Sequence, residues 1–397
     1  MPKILCSGDL HCFWPTFNRT DEDGIPSRLQ DWRRSAQALL QAAIEHKVSA
    51  ALFPGDFFPT SRPSPAQVLE VAQLFYRFEE EGIRVVGCKG NHDDLGPGQL
   101  SPVDLVARMA PDGRRWGWTQ PGIERLPDLE VVVLPFTKAV KTDSDPAVAA
   151  LETSQQLIQI ARHWLAMADT SKPIVLMGHW AVSGCRLAAG NSLASTEPTL
   201  PLADLQTLPV RAAVMGHIHT PQVIAIDPVV LHTGVLERHD FGEEHNECGC
   251  YIVDLDTQEV EFVELPARRF LTVRLDEVAL EGFANGEAAG TVVKRCVDVG
   301  AVHGAIVRVV YQATEEQAKR VDHNAIIQAL YNAGAHQVAG VYSEIIRSER
   351  TREASITETT GPLDALEKWL KLRTDLSDDM RSRVAQKARA LIEEVRA

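Results

Sequence analysis

Five short apolar runs in this chain each lead into a glycine that is followed at once by a carboxylate, amide or imidazole residue. Ile4-Leu5-Cys6 runs into Gly8-Asp9-Leu10-His11, and Ala51-Leu52-Phe53-Pro54 into Gly55-Asp56. Val85-Val86-Gly87-Cys88-Lys89 runs into Gly90-Asn91-His92-Asp93, Leu176-Met177 into Gly178-His179, and Val214-Met215 into Gly216-His217-Ile218-His219. Unbroken apolar runs of this length are the pattern of strands buried on both faces. Glycine at the strand end permits a sharp reversal and close backbone approach. Alternation along extended backbone sends residues i and i+2 to one side, so His217 and His219 converge on one point. Taken singly, a Gly-Asp is a turn and a lone histidine a satisfied core residue. Five strands delivering Asp, Asn and His to one edge are not explained by core packing, because ligands of open α/β sheets gather beyond the strand carboxyl ends.

The surrounding pattern supports such a sheet. Further strands are predicted at Val131-Val132-Val133-Leu134, Val229-Val230-Leu231, Tyr251-Ile252-Val253 and Val260-Glu261-Phe262-Val263. Helices are predicted over Arg28–Lys47, Pro65–Glu81 and Ala147–Met167, and this alternation defines α/β layers. The last strands lack intervening helices and extend the sheet as an all-β part. We read residues 1–266 as one domain. Residues 267–350 form a small α+β domain with strands at Phe270–Leu275, Ala305–Tyr311 and His336–Ile346 and a helix over Glu315–Asn332. Residues 351–361 form a polar linker ending in Gly361-Pro362. Residues 362–397 form two helices striped by Leu363, Leu366 and Leu370, and by Met380, Val384, Leu391 and Val395.

Composition narrows the class. At 397 residues the chain has room for two or three domains. It is 45% hydrophobic and 24% charged, the mix of an ordinary soluble protein. No apolar run approaches the roughly 18 residues of a spanning helix, and the first residues are too briefly apolar for a signal peptide. Seven cysteines without a CxxC pair read as reduced core thiols in the cytoplasm. A net charge of −14 argues against a broadly basic nucleic-acid surface. It leaves room for a local site whose positive charge comes from metal ions.

Carboxylate, amide and imidazole without thiolate is a donor mix for Mn, Fe or Zn at five to six coordination. One carboxylate shared by two cations holds them roughly 3.5–4 Å apart, the spacing of two-metal hydrolytic sites. The series D-x-H, G-D, G-N-H-D, G-H, G-H-x-H over residues 4–220 resembles the calcineurin-like metallophosphoesterase superfamily. Phe57-Phe58-Pro59-Thr60-Ser61-Arg62-Pro63-Ser64-Pro65 and Thr233-Gly234-Val235-Leu236-Glu237-Arg238-His239-Asp240-Phe241-Gly242-Glu243-Glu244 are similar to stretches of the SbcD-type DNA double-strand-break repair nucleases.

The resemblance implies a four-layer α/β/β/α fold, two packed mixed sheets flanked by helices, with a small capping domain and a C-terminal helical pair. It implies one metal held by Asp9, His11, Asp56 and His219 and another by Asp56, Asn91, His179 and His217. Mn is the first choice, with Mg, Fe or Zn as alternatives. His92 then assists the leaving group, and Ser61 and Arg62 contact DNA. The implied activity is exonuclease and endonuclease hydrolysis of DNA, with an SMC-like ATPase of the SbcC type as partner and a homodimer as assembly. A phosphomonoesterase or cyclic-nucleotide phosphodiesterase is the runner-up, and a non-catalytic scaffold the remaining alternative. One departure stands out. The position three after the bridging Asp56, often His or Asp in relatives, is Pro59, whose side chain cannot support His92; Asp93 or Asp94 is the expected substitute.

Overall fold

The apolar runs are strands because their side chains are buried on both sides. The computed structural model describes residues 2–96, 98–138, 145–187, 194, 196–346, 360–373 and 376–396. Most of the expected linker 351–361 and the side chain of Val395 lie outside these described residues. The chain divides into two compact units, Met1–Val310 with Asp322–Tyr342, and Tyr311–Val321 with Ser343–Ala397.

The first unit is built on two six-stranded sheets. In order, one holds Val260–Glu264, Gly249–Asp254, Lys3–Cys6, Ala50–Phe53, Arg84–Cys88 and Gly117–Trp118; its last four strands are parallel. The other holds Gln222–Ile226, Val229–His232, Ala212–Met215, Ile174–Gly178, Glu130–Leu134 and Gly122–Arg125; its middle four are parallel. Alternation partitions their residues strictly. Ile4, Cys6, Leu52 and Val86 pack between the sheets against Val131, Val133, Val175, Met177 and Val214. Their neighbours Leu5, Ala51, Phe53 and Val85 turn outward beneath the helices Ser27–Glu45 and Pro65–Glu80, meeting Trp32, Leu39, Phe75 and Phe78. Val132, Leu134, Leu176 and Met215 turn outward beneath Pro146–Leu165, meeting Leu157, Ile158 and Ala161. Each such buried Val, Leu or Phe contributes about 1.5–3 kcal/mol. Four layers result, α/β/β/α, as the resemblance implied.

Two details differ from the sequence reading. The helix expected over Glu315–Asn332 is two helices, Glu315–Ala318 and His323–Asn332. The Asp322 carboxylate accepts from Ala325 N at 3.0 Å and so starts a new helix. Short helices at Pro102–Arg108, Glu277–Ala284 and Ala289–Cys296 escaped notice because seven or eight residues give little periodicity to detect. No helix among the described residues is long and apolar enough to cross a membrane. All seven cysteines are free thiols.

A buried ionic network ties the helix Ser27–Glu45 to the segment entering the strand Phe270–Leu275. Arg28 Nη1 lies 2.9 Å from Asp31 Oδ2 and 3.4 Å from Glu237 Oε2. Arg268 grips both Asp31 oxygens, and Ser35 Oγ donates to Glu237 at 2.6 Å. Burial alone would raise the Asp31 pKa; Arg268, Arg28 and Arg34 override it and hold the carboxyl below its usual range. Asp31→Ala should therefore lower stability by about 3–5 kcal/mol, because it strands buried arginines. A depressed folded-state pKa stabilises above the unfolded carboxyl pKa and fades as pH falls through the folded one. The deficit of the variant, followed by urea unfolding, should thus be full at about pH 7 and shrink as the pH falls from the ordinary carboxyl range through the lowered folded-state value. A deficit that does not change with pH would show that the pairing contributes no charge-dependent stability.

Candidate metal centre

The parallel strands of both sheets end at one edge, and there the seven residues singled out as ligands meet. Asp9 and Asp56 are fully buried carboxylates. Asp9 accepts from His217 N at 3.0 Å, and Asp56 Oδ1 from His92 N at 2.8 Å. Asp56 Oδ2 faces His179 Nε2 at 3.4 Å on one side and His11 Nε2 at 3.6 Å on the other. Asn91 Oδ1 sits 2.8 Å from His179 Nε2 and 3.0 Å from His217 Nδ1. His219 Nε2 lies 3.4 Å from His11 Nε2 and 3.8 Å from Asp9 Oδ1. Asp56 belongs to two donor groups whose atoms lie within 4.8 Å of one another, Asp9–Asp56–His179 and His11–Asp56–His92.

The backbone is bent to allow this. Asp9, His11, Asp56 and His217 all adopt positive φ, a conformation that costs a non-glycine residue about 1–3 kcal/mol and gathers at functional sites. Gly55 has φ of 92°, and a Cβ on it would collide with the His179 ring; one on Gly90 would collide with the Asp56 carboxylate. These two glycines let three strand ends close on one point.

Hydrogen bonds set which nitrogen each imidazole presents. His179 Nδ1 donates to Pro54 O at 2.7 Å and His11 Nδ1 to Phe58 O at 3.2 Å, since a carbonyl only accepts. Their Nε2 lone pairs are thereby aimed inward. The His-x-His pair is anchored by carboxylates instead, His219 Nδ1 donating to Glu243 at 2.5 Å and His217 Nε2 to Glu197. Burial alone would lower the pKa of His179 and His219. The neighbouring carboxylates, Asp56 for the first and Glu243 for the second, push both up to about 9 instead. Burial likewise opposes the charge on Asp56, yet His179, His11 and His92 hold its carboxyl well below the usual range. The pocket is built to contain positive charge. Its carboxylates, amide oxygen and inward Nε2 atoms fit divalent cations, whose binding would expel protons.

The expected substitutes for a side chain at position 59 are not what holds His92. Its Nδ1 donates to the backbone carbonyl of Pro59 at 2.9 Å, a group every residue carries. Asp93 instead accepts from Phe57 N, Phe58 N and Gly90 N, clamping the loop after Asp56. Asp94 pairs with Lys89 at 2.8 Å and Lys138 at 3.6 Å. Ser61 is half-buried and Arg62 exposed on the loop between Asp56 and the helix Pro65–Glu80.

Sequence reasoning missed Glu197, and it quoted Glu243 and His239 without giving them a task. The polar loop after Cys12 carries Trp14 and Phe17 inward. Trp14 stacks on His239 with ring centroids 4.6 Å apart, and Phe17 packs on Phe241 and Phe270. Trp14, His217, His219, His239 and Glu243 help line a cavity of roughly 290 Å³. No period or spacing connects residues 14, 197 and 239; the clustered histidines and glutamates after residue 237 were the available signal.

The family model of the calcineurin-like phosphoesterases matches residues 2–221. The chain belongs to that family. It is 23% identical over 345 residues to a DNA double-strand break repair protein Mre11 of Archaeoglobus fulgidus, covering 82% of this chain and 73% of that one. A DNA double-strand break repair protein Mre11 of Aeropyrum pernix is 25% identical over 289 residues, covering 70% and 64%. Among solved structures, a dimetal phosphatase from Danio rerio aligns with a TM-score of 0.40 and 12% identity over 67% of this chain and 99% of its own.

Proposed function

We propose that this protein is a two-metal phosphodiesterase acting on DNA, the nuclease subunit of a repair or recombination complex. The observation that carries it is Asp56, one buried carboxylate facing two imidazole groups, with His92 bound to its Oδ1 through the backbone alone. Asp9, His11, Asp56 and His219 would hold one cation, and Asp56, Asn91, His179 and His217 the other. Divalent ions there, Mn first and Mg, Fe or Zn as alternatives, would supply Lewis acidity toward phosphate and an activated nucleophile at neutral pH.

The chain's own residues do the rest. Glu197 and Glu243 fix the rings of His217 and His219. Pro59 O accepts a hydrogen bond from His92 Nδ1–H, so Nε2, protonated in the imidazolium form, is the atom that would deliver a proton to the departing sugar oxygen. DNA is favoured over a small ester by the two relatives and by the Ser61–Arg62 loop, which belongs to the stretch that resembles the repair nucleases. Seven free thiols suit a cytoplasmic setting. We take a homodimer as the assembly, on the resemblance alone.

The test compares duplex DNA, an aryl phosphate and a cyclic nucleotide as substrates with Mn²⁺. Preference for the aryl phosphate or the cyclic nucleotide would replace the nuclease reading by the runner-up, and inactivity on all three by the scaffold. The same assay examines the terminal helices. Pro362–Leu372 and Asp378–Arg396 pack on each other and bury Leu370, yet leave Trp369, Leu372, Met380 and Leu391 exposed. We assign that surface to an SMC-like ATPase of the SbcC type. A chain ending at Gly361 should cleave short DNA at the full rate and lose stimulation by the ATPase. Unfolding of the shortened chain would place the helices in its own core, and undiminished stimulation would place docking elsewhere.

A further inference from the structure

One imidazole at the edge of the centre has no task in the eight-donor scheme. His239 is buried, with 4% of its surface exposed, and neither ring nitrogen has a hydrogen-bond partner among the described residues. A buried imidazole left so forfeits about 1–3 kcal/mol for each unpaired polar group, and such a group calls for an explanation. The ring is not loose. Trp14 stacks on it at 4.6 Å and 17°, and its backbone N–H donates to Glu243 Oε2 at 2.7 Å. Glu243 Oε1, 3.7 Å from His239 Nδ1, already accepts from His219 Nδ1.

What the ring faces is the centre itself. It lies edge-on to His11 at 4.6 Å and to His219 at 5.1 Å. One nitrogen from each of His11, His219 and His239 falls within 4.8 Å of the others, and the His11 and His219 atoms are 3.4 Å apart. Nitrogens that share a cation at about 2.1 Å are separated by distances of this order.

We propose that His239 is a further ligand of the centre, an imidazole donor to the cation held by His11 and His219. This rests on the metal-centre reading above. That cation then has three imidazoles and two carboxylates, whereas the other has two imidazoles, one amide and one carboxylate. The two sites become unequal. The imidazole-rich one favours Co²⁺ and Zn²⁺ over Mg²⁺ more strongly than its neighbour does. Trp14 is a positioning residue, holding the ring against its far face.

Apoprotein titrated with Co²⁺ and followed by visible absorption tests this, using His239→Phe, which keeps a ring against Trp14, and His239→Ala. Both variants should bind one Co²⁺ as the wild type does and the second at least roughly tenfold more weakly, with changed absorption bands from the lost nitrogen. Normal affinities and bands in His239→Phe would overturn the assignment, even if His239→Ala were impaired, because packing alone would then explain the ring. Wild-type crystals soaked in Zn²⁺ need no substitution: a His239 nitrogen should lie about 2.1 Å from the cation. A nitrogen beyond about 3 Å would equally refute it. Asp56→Asn separates the two levels, since normal binding of both Co²⁺ ions in that variant would remove the metal centre itself and not merely its ninth donor.

Discussion

Asp56→Asn should reduce DNA hydrolysis to background and strip both cations from the purified protein. The amide keeps the shape of the carboxylate but not its charge, and Asp56 faces both His179 Nε2 and His11 Nε2. One negative charge serves two sites, so its loss acts twice. The substitution also changes what the His92 backbone N–H meets, because Oδ1 accepts that hydrogen bond at 2.8 Å. Elemental analysis of the variant beside the wild type should fall from roughly two divalent ions per chain toward none. Metal content that matches the wild type would remove Asp56 from the shared position. Loss of a single ion would leave it a ligand to one cation only.

His92→Gln should act differently, lowering turnover by roughly 10²–10⁴-fold while both cations remain bound. His92 is only partly buried, and its Nδ1 is engaged by Pro59 O, so the other nitrogen is the one left to meet a substrate. Lost metal in this variant would make His92 a ligand. Pro59→Ala is the informative control. The carbonyl that orients His92 belongs to the backbone, so the control should retain nearly wild-type turnover; a loss as deep as that of His92→Gln would mean that the proline ring, not the carbonyl, places the loop.

The departure at position 59 illustrates where sequence reasoning stops. The sequence offers only side chains as candidate supports for His92, because side chains are what distinguish one position from another. The supporting group is a peptide carbonyl, present at every residue and therefore invisible as a signal. Its position follows from the reversal after Asp56, which the buried Asp93 carboxylate holds by accepting from Phe57 N, Phe58 N and Gly90 N. Asp93 has a role, though not the one expected of it.

The convergence of the candidate residues at one edge, by contrast, was legible in the sequence. Each candidate ligand lies one or three residues after a glycine at the end of an apolar run, and the run's burial on both faces forces it into a strand whose end is shared with its parallel neighbours. The two-sheet core was equally readable, since alternate residues of Lys3–Cys6, Ala50–Phe53 and Ile174–Gly178 must face opposite layers. Helices such as Ser27–Glu45 and Pro65–Glu80 announced themselves by periodicity, and in the structure Ser64 and Gln67 start the second as a capping box. These are local rules, and local rules are written in neighbouring residues.

Tertiary structure alone decided what surrounds the ligands. Glu197 reaches His217 across 20 positions, Glu243 reaches His219 across 24, and Trp14 lies against His239 from the far side of the chain's numbering. Such contacts depend on where loops return after the sheets have packed, and no residue spacing encodes that return. The amino-acid sequence thus determined the strands, their buried faces and the donors at their ends. The packing of loops over that edge determined which nitrogen each histidine presents, what holds it, and that a further imidazole lies against the same centre.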